Sequence, residues 1–192
     1  MSTALKALQD GEIVLLVSDT LVGLHCRADR PGARRALAEL KQAPDNSRPF
    51  LLLFDSSDAV FAETLPTPDQ ARTLRQLWPG PLTAVLRPRS GVPVDWFDGD
   101  RAGGLAARVP APAALRALIS SVGAPLYSTS ANISGGAPSV SLEEARQLFG
   151  GLAYDSLGLL PSQQASTLVD LTQNEVNIVR SGPLAWPEAG RS

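Results

Sequence analysis

The chain has almost none of the residues that ligate soft metals or attack substrates covalently. Its 192 residues include one cysteine, Cys26, and one histidine, His25. A single cysteine excludes an internal disulfide and any cysteine-cluster metal site. A single histidine excludes every two-histidine arrangement. Because the two are adjacent, a strand would point them to opposite faces, which argues against a Cys-His catalytic pair and for structural roles. The GxSxG elbow, the GxxxxGK[ST] loop and a strand-linked GxGxxG are all missing, which disfavours a serine hydrolase, a P-loop and a Rossmann site. Aromatics are only 5% of the residues, and Trp78, Trp96 and Trp186 are too scattered to form a base-stacking platform. No apolar run approaches the ~20 residues that span a bilayer, and the N-terminus has no basic-then-apolar signal pattern. Together with the free thiol, this predicts a cytoplasmic protein with no membrane partner. Lysine and arginine number 17 against 19 aspartates and glutamates, so no global basic field advertises nucleic-acid binding. A local basic pocket is still compatible with that balance.

What is present is enough for a sizeable core. Hydrophobic residues make up 44% of the chain, and a chain of this length buries roughly 70% of its unfolded surface. One domain over residues 1–192 is expected. Apolar periodicity predicts helices at Thr3 to Gln9, Ala33 to Lys41, Pro68 to Trp78 and Ala113 to Ile119. Ser141 to Phe149 adds a fifth, opened by a capping box in which Ser141 and Glu144 bond reciprocally. Aliphatic runs predict strands at Ile13 to Val17, Phe50 to Phe54, Leu82 to Leu86, Leu105 to Val109, Pro125 to Ser128, Leu168 to Leu171 and Val176 to Arg180. Alternating strands and helices point to an α/β fold with helices covering a largely buried sheet. Arg87 to Gly104 is the longest irregular stretch, either a surface loop beside a cleft or a long connection.

Three groups of residues invite a chemical reading. Ser128 to Gly136, STSANISGG, follows a short strand and offers hydroxyls, backbone amides and two glycines, a combination that suits anionic oxygens. Its alternative is a Ser/Gly turn bonded to itself. Ser18-Asp19-Thr20, followed by Gly23, lies at the end of the first strand, where open α/β sheets place ligands; an aspartate satisfying a turn explains it equally well. The third group is cationic: Lys41, Arg48, Arg108 and Arg180. Arg108 lies inside an apolar strand and must find solvent, a partner or a ligand. Lys41 also fits as a charge at a helix C-terminus.

The order of segments adds a resemblance. LLVSDTLVGL, LKQAP, WPGPLTAVL, ARVP, STSANISG, STLVDL and IVRSG occur in sequence between Leu15 and Gly182. Together they resemble the Sua5/YciO/YrdC family, whose best-known members are threonylcarbamoyl-AMP synthases. The resemblance implies a single YrdC-like domain, a twisted open mixed sheet flanked by helices around a positively lined cavity. It implies a nucleotidyltransferase that joins L-threonine, bicarbonate and ATP into threonylcarbamoyl-adenylate and pyrophosphate, the first step toward t6A in tRNA. Such chemistry needs positioned reactants and stabilised phosphate charge, commonly with Mg2+, rather than a protein nucleophile. No catalytic side chain and no metal-ligating side chain is assigned.

Carried over by position, Thr20, Arg108, Ser128 and Ser166 are expected to hold threonine, with Thr167 beside them. Lys41, Ser130, Asn132, Pro138 and Arg180 are expected on the ATP side. The chain departs from the family pattern at the opening, which usually resembles PTDTVYGL but here, at Val17-Ser18-Asp19-Thr20-Leu21-Val22, lacks the proline, first threonine and tyrosine, and at two further positions. The usual Lys-x-Arg reads Lys41-Gln42-Ala43, and a frequent histidine is Leu53. Arg48, five residues after Ala43, is expected to replace the missing guanidinium. The alternative is a YciO-like paralogue binding nucleotide or RNA, tRNA or double-stranded, without efficient synthesis. The family also implies a downstream transferase complex as partner.

Overall fold

A computed structural model describes residues 2–43, 50–96, 103–173 and 175–187. Among them, α1 (Thr3–Gln9) leads into β1 (Val14–Val17) and β2 (Val22–Arg27), then α2 (Ala33–Leu40) and β3 (Leu51–Leu53). Next come α3 (Ser57–Glu63), α4 (Pro68–Leu77), β4 (Leu82–Leu86), a 3-10 turn at Val94–Trp96 and β5 (Leu105–Arg108). The chain continues through α5 (Ala113–Val122), β6 (Leu126–Ser130), α6 (Leu142–Leu148), β7 (Ala153–Asp155), β8 (Thr167–Asp170) and β9 (Asn177–Arg180).

The nine strands among the described residues form one mixed sheet in the order β7-β1-β2-β6-β3-β5-β4-β8-β9. β1/β7, β3/β5 and β4/β8 run parallel and the other neighbours antiparallel. The α/β expectation holds. β2, α3 and β7 had not been anticipated. α4 opens on a full capping box between Thr67 and Gln70, with Pro68 in its first turn. At α6 the expected box is altered: Ser141 accepts the Glu144 amide at 3.1 Å, but the Glu144 carboxylate takes the Val140 amide at 2.8 Å, one residue upstream. The irregular stretch after β4 is more than a surface loop, because Trp96 is buried and its Nε1 donates to the Ala28 carbonyl at 3.0 Å.

The two faces of the sheet are covered differently. On the first, Leu24, Cys26, Leu52, Ala84, Tyr127 and Val169 pack into a core that also takes Leu37 of α2, Leu74 of α4 and Ala145 of α6. On the second, Val14, Leu16, Leu53 and Leu126 pack beneath Ala4 and Leu8 of α1 and Leu115 and Ile119 of α5. Each fully buried aliphatic side chain contributes roughly 1.5–3 kcal/mol. Side chains alternate along a strand, so the second face continues past α1 and α5 through residues of a different kind. Those residues make the site.

Candidate functional site

The part of the second face beyond α1 and α5 carries Gly23 and His25 from β2, Ser128 and Ser130 from β6, Arg108 from β5 and Thr83 from β4. These small and polar side chains line a cavity of about 850 Å³, within the ~300–1,000 Å³ of small-molecule sites.

One wall is built on strands and the β1–β2 turn. Arg108 is 3% exposed, with one terminal nitrogen donating to Thr20 Oγ1 at 2.8 Å and the other to Asp19 Oδ1. Burial pulls its pKa down from the usual guanidinium value, and the Asp19 carboxylate pulls it back. Its Nε has no partner among the described residues. Asp19 Oδ2 also accepts the Ala111 amide at 3.2 Å, so Asp19 both satisfies local backbone and neutralises Arg108. Thr20 Oγ1 lies 3.0 Å from Ser18 Oγ. Ser166 Oγ pairs with Thr83 Oγ1 at 2.8 Å, and its carbonyl accepts from Arg180 Nε and a terminal nitrogen at 3.0 and 2.9 Å. Thr167 faces away and donates to the Leu184 carbonyl at 2.5 Å.

The other wall is the STSANISGG loop, clamped from α2. Lys41 caps α2 and is 6% exposed. Its Nζ donates to the carbonyls of Ser130 and Asn132 at 2.6 and 2.8 Å and to Asn132 Oδ1 at 3.1 Å. Burial lowers its pKa to about 8. Ser130 Oγ donates to the same Asn132 Oδ1 at 2.5 Å, while Asn132 Nδ2 donates to the carbonyls of Ile133 and Gly136. The expectation of free backbone amides in this loop needs correction: Asn132, Ser134 and Gly136 spend theirs on the carbonyls of Ser130, Lys41 and Ile133. Lys41 likewise bonds the loop rather than the end of its own helix.

Thr20, Arg108, Ser128 and Ser166, expected on the threonine side, all line this cavity. So do Lys41, Ser130 and Arg180 from the expected ATP side. Asn132 stands behind Lys41 as its anchor and is not among the lining residues, and Pro138 is exposed on the loop that follows. Arg48 lies outside the described residues. Of the single-position departures, Ala43 is on the cavity wall, whereas Leu53 packs under α1 and α5.

His25 and Cys26 do point to opposite faces, Cys26 into the first core and His25 into the cavity wall. Burial raises the Cys26 thiol to about 12, which leaves it inert. Burial pushes the His25 imidazole down to about 4, an effect that the Gly23 backbone opposes and the Arg108 charge reinforces. Sequence reasoning missed His25 as a cavity residue, and it missed Thr83 as the partner of Ser166. The polar Thr83 inside the apolar run Leu82 to Leu86 was the available signal for the second.

The profile of the Sua5/YciO/YrdC family, described as telomere recombination, matches residues 6–182. The chain belongs to the Sua5/YciO/YrdC family. Two curated relatives are a putative threonylcarbamoyl-AMP synthase of Mycobacterium leprae and a threonylcarbamoyl-AMP synthase of Vibrio parahaemolyticus. The first is 33% identical over 190 residues, 96% of this chain and 84% of the relative; the second is 33% identical over 148 residues, 76% and 79%. Among solved structures, P. abyssi Sua5 complexed with L-threonine superposes with a TM-score of 0.83 at 28% identity. That alignment covers 93% of this chain, which spans only 53% of the length of the P. abyssi protein. The YrdC-like fold expected from the family resemblance is therefore the fold observed.

Proposed function

We propose that the chain is a threonylcarbamoyl-AMP synthase, a nucleotidyltransferase acting in the cytoplasm in the synthesis of t6A. The threonine amino nitrogen forms a C–N bond to bicarbonate as a C–O bond breaks and water leaves, and an oxygen of the resulting carbamate attacks the α-phosphorus of ATP. A new P–O bond forms, the bond to the β-phosphate bridge breaks, and pyrophosphate leaves with the electron pair. Arg108 carries this reading: a buried guanidinium in the cavity wall, bonded to the Thr20 hydroxyl and to Asp19 in a lining that also includes Ser128, is suited to an amino-acid carboxylate. The family relatives named for this reaction and the threonine complex of P. abyssi Sua5 support it.

ATP is assigned to Lys41 and Ser130 on the loop wall and to Arg180 on the strand wall, with Asn132 holding Lys41 and Pro138 on the loop that follows. Mg2+ would arrive with the triphosphate and be held chiefly by phosphate oxygens and water. The oxygen-rich lining, which includes the Asp170 carboxylate, is compatible with a hydrated hard cation. Arg48 is proposed, from chain position alone, to supply the guanidinium that Ala43 lacks. Arg48→Ala should then weaken ATP binding; unchanged affinity alongside weakened binding by Lys41→Ala refutes that relocation.

The decisive assay is pyrophosphate release from ATP on adding threonine and bicarbonate. Release is expected to require both and to fall at least about a hundredfold in Arg108→Ala, the loss of a charge-assisted contact and of substrate orientation together. The methyl of Ala43 on the cavity wall favours one alternative, a paralogue that binds nucleotide or RNA without efficient synthesis. RNA binding with a steep salt dependence, without threonine-dependent release, would select it. The partner that consumes the adenylate is proposed to be a transferase acting on tRNA.

A further inference from the structure

His25 is not among the residues that the family resemblance brings to the cavity. It is 1% exposed and stands directly across from Ser128 in the β2/β6 pairing. Its Nε2 lies 3.1 Å from Ser128 Oγ. Its Nδ1 is buried with no hydrogen-bond partner among the described residues. Gly23, on the same face two residues earlier, makes room for the ring: a Cβ there would come within 2.7 Å of His25 Cε1 and 2.9 Å of the Thr129 carbonyl. The imidazole is thus held between a glycine and a serine, with the serine hydroxyl on the cavity wall.

A neutral imidazole has one N–H and one lone pair, and the hydrogen bond made by one nitrogen selects the tautomer. A proton on Nδ1 finds no acceptor in hydrogen-bond geometry among the described residues, the Gly23 backbone that favours a protonated ring included, so this is the more costly of the two arrangements. On Nε2 the same proton is donated to Ser128 Oγ. The hydroxyl hydrogen of Ser128 is then not used in this pair, and it can turn to an acceptor in the cavity.

We propose that His25 is a positioning residue that fixes Ser128 as a hydrogen-bond donor toward a carboxylate or hydroxyl oxygen of the bound amino acid. The inference rests on the amino-acid binding proposed above for this wall.

With one histidine in the chain, 15N-labelled histidine gives a single imidazole in NMR spectra of the whole protein. The expected spectrum of the free protein is that of the Nε2–H tautomer; the Nδ1–H tautomer overturns the proposal. Calorimetric titration with L-threonine supplies a second readout. Glutamine can return an N–H near the Nε2 position, while methionine fills similar space without a donor. Threonine affinity should fall about three- to tenfold in His25→Met and recover to within about twofold of wild type in His25→Gln, the scale of one hydrogen bond. Wild-type affinity in folded His25→Met, or no recovery in folded His25→Gln, also overturns it. If the wild-type protein fails to bind threonine, the amino-acid reading of the wall falls, while the tautomer still decides which way Ser128 is oriented.

Discussion

Leu126 and Ser128 are two residues apart on one strand and face the same side of the sheet, yet one is sealed under helices and the other opens onto a cavity. The same division runs across the whole face. Val14, Leu16, Leu53 and Leu126 draw α1 and α5 onto one half, while His25, Ser128, Thr83 and Arg108 leave the other half concave. Backbone hydrogen bonding is continuous through both halves. What separates them is side-chain chemistry: a large aliphatic surface is stabilised by a covering helix, whereas buried hydroxyls and a guanidinium need hydrogen-bond partners, which the apolar face of a helix does not supply. The site is the portion of the sheet that its own residues keep uncovered.

This contrast can be tested from either half. The largest effect is expected from Leu126→Ser, which removes a fully buried side chain and puts a hydroxyl under α5. A loss of about 4 kcal/mol is expected from urea unfolding, with the mixed sheet lost in a single transition. In the cavity half, His25 gives the next effect, and it depends on pH. Its folded value of about 4 lies below the ordinary imidazole value of 6.5, so between those values the unfolded chain binds more protons. Stability is therefore complete above about pH 6.5 and falls on acidification toward pH 4, by up to about 3 kcal/mol. Wild-type and His25→Gln unfolding curves, compared across that window, should differ by this slope; parallel curves would mean that the ring protonates as easily folded as unfolded. The smallest effect belongs to Ser166→Ala. Thr83 loses one hydrogen-bond partner, but the Ser166 carbonyl keeps Arg180, so about 1 kcal/mol is expected. Threonine binding should suffer more than stability does, and equal losses in both would blur the division between the halves.

Aliphatic runs such as those of β1 and β4 are legible in the sequence because burial on both faces leaves them uninterrupted. Leu82 to Leu86 coincides with β4, and most others shift by a residue or two at their ends. β2 escaped notice because Gly23 and His25 interrupt its apolar pattern on the cavity side, and those residues follow the demands of the site rather than of a core. α3 buries only Val60, and β7 is three residues at the sheet edge, so neither carries a periodicity strong enough to read. Within the site, Arg108 could be singled out because a charge inside an apolar strand requires an answer. That the answer is Asp19 and Thr20, 89 and 88 residues away, depends on the β1–β2 turn meeting the end of β5. The His25–Ser128 pair likewise depends on strand register, which local sequence does not specify.

Lys41 has three ammonium hydrogens, and all three are matched to oxygens of residues 130 and 132. Its charge reaches into the hollow, but it has no hydrogen left to offer. An anionic guest can therefore touch this lysine only by exchange, taking the place of a main-chain carbonyl or of the Asn132 side-chain oxygen and loosening the loop there. Occupancy of the hollow and the shape of residues 130–136 are consequently two readings of one equilibrium.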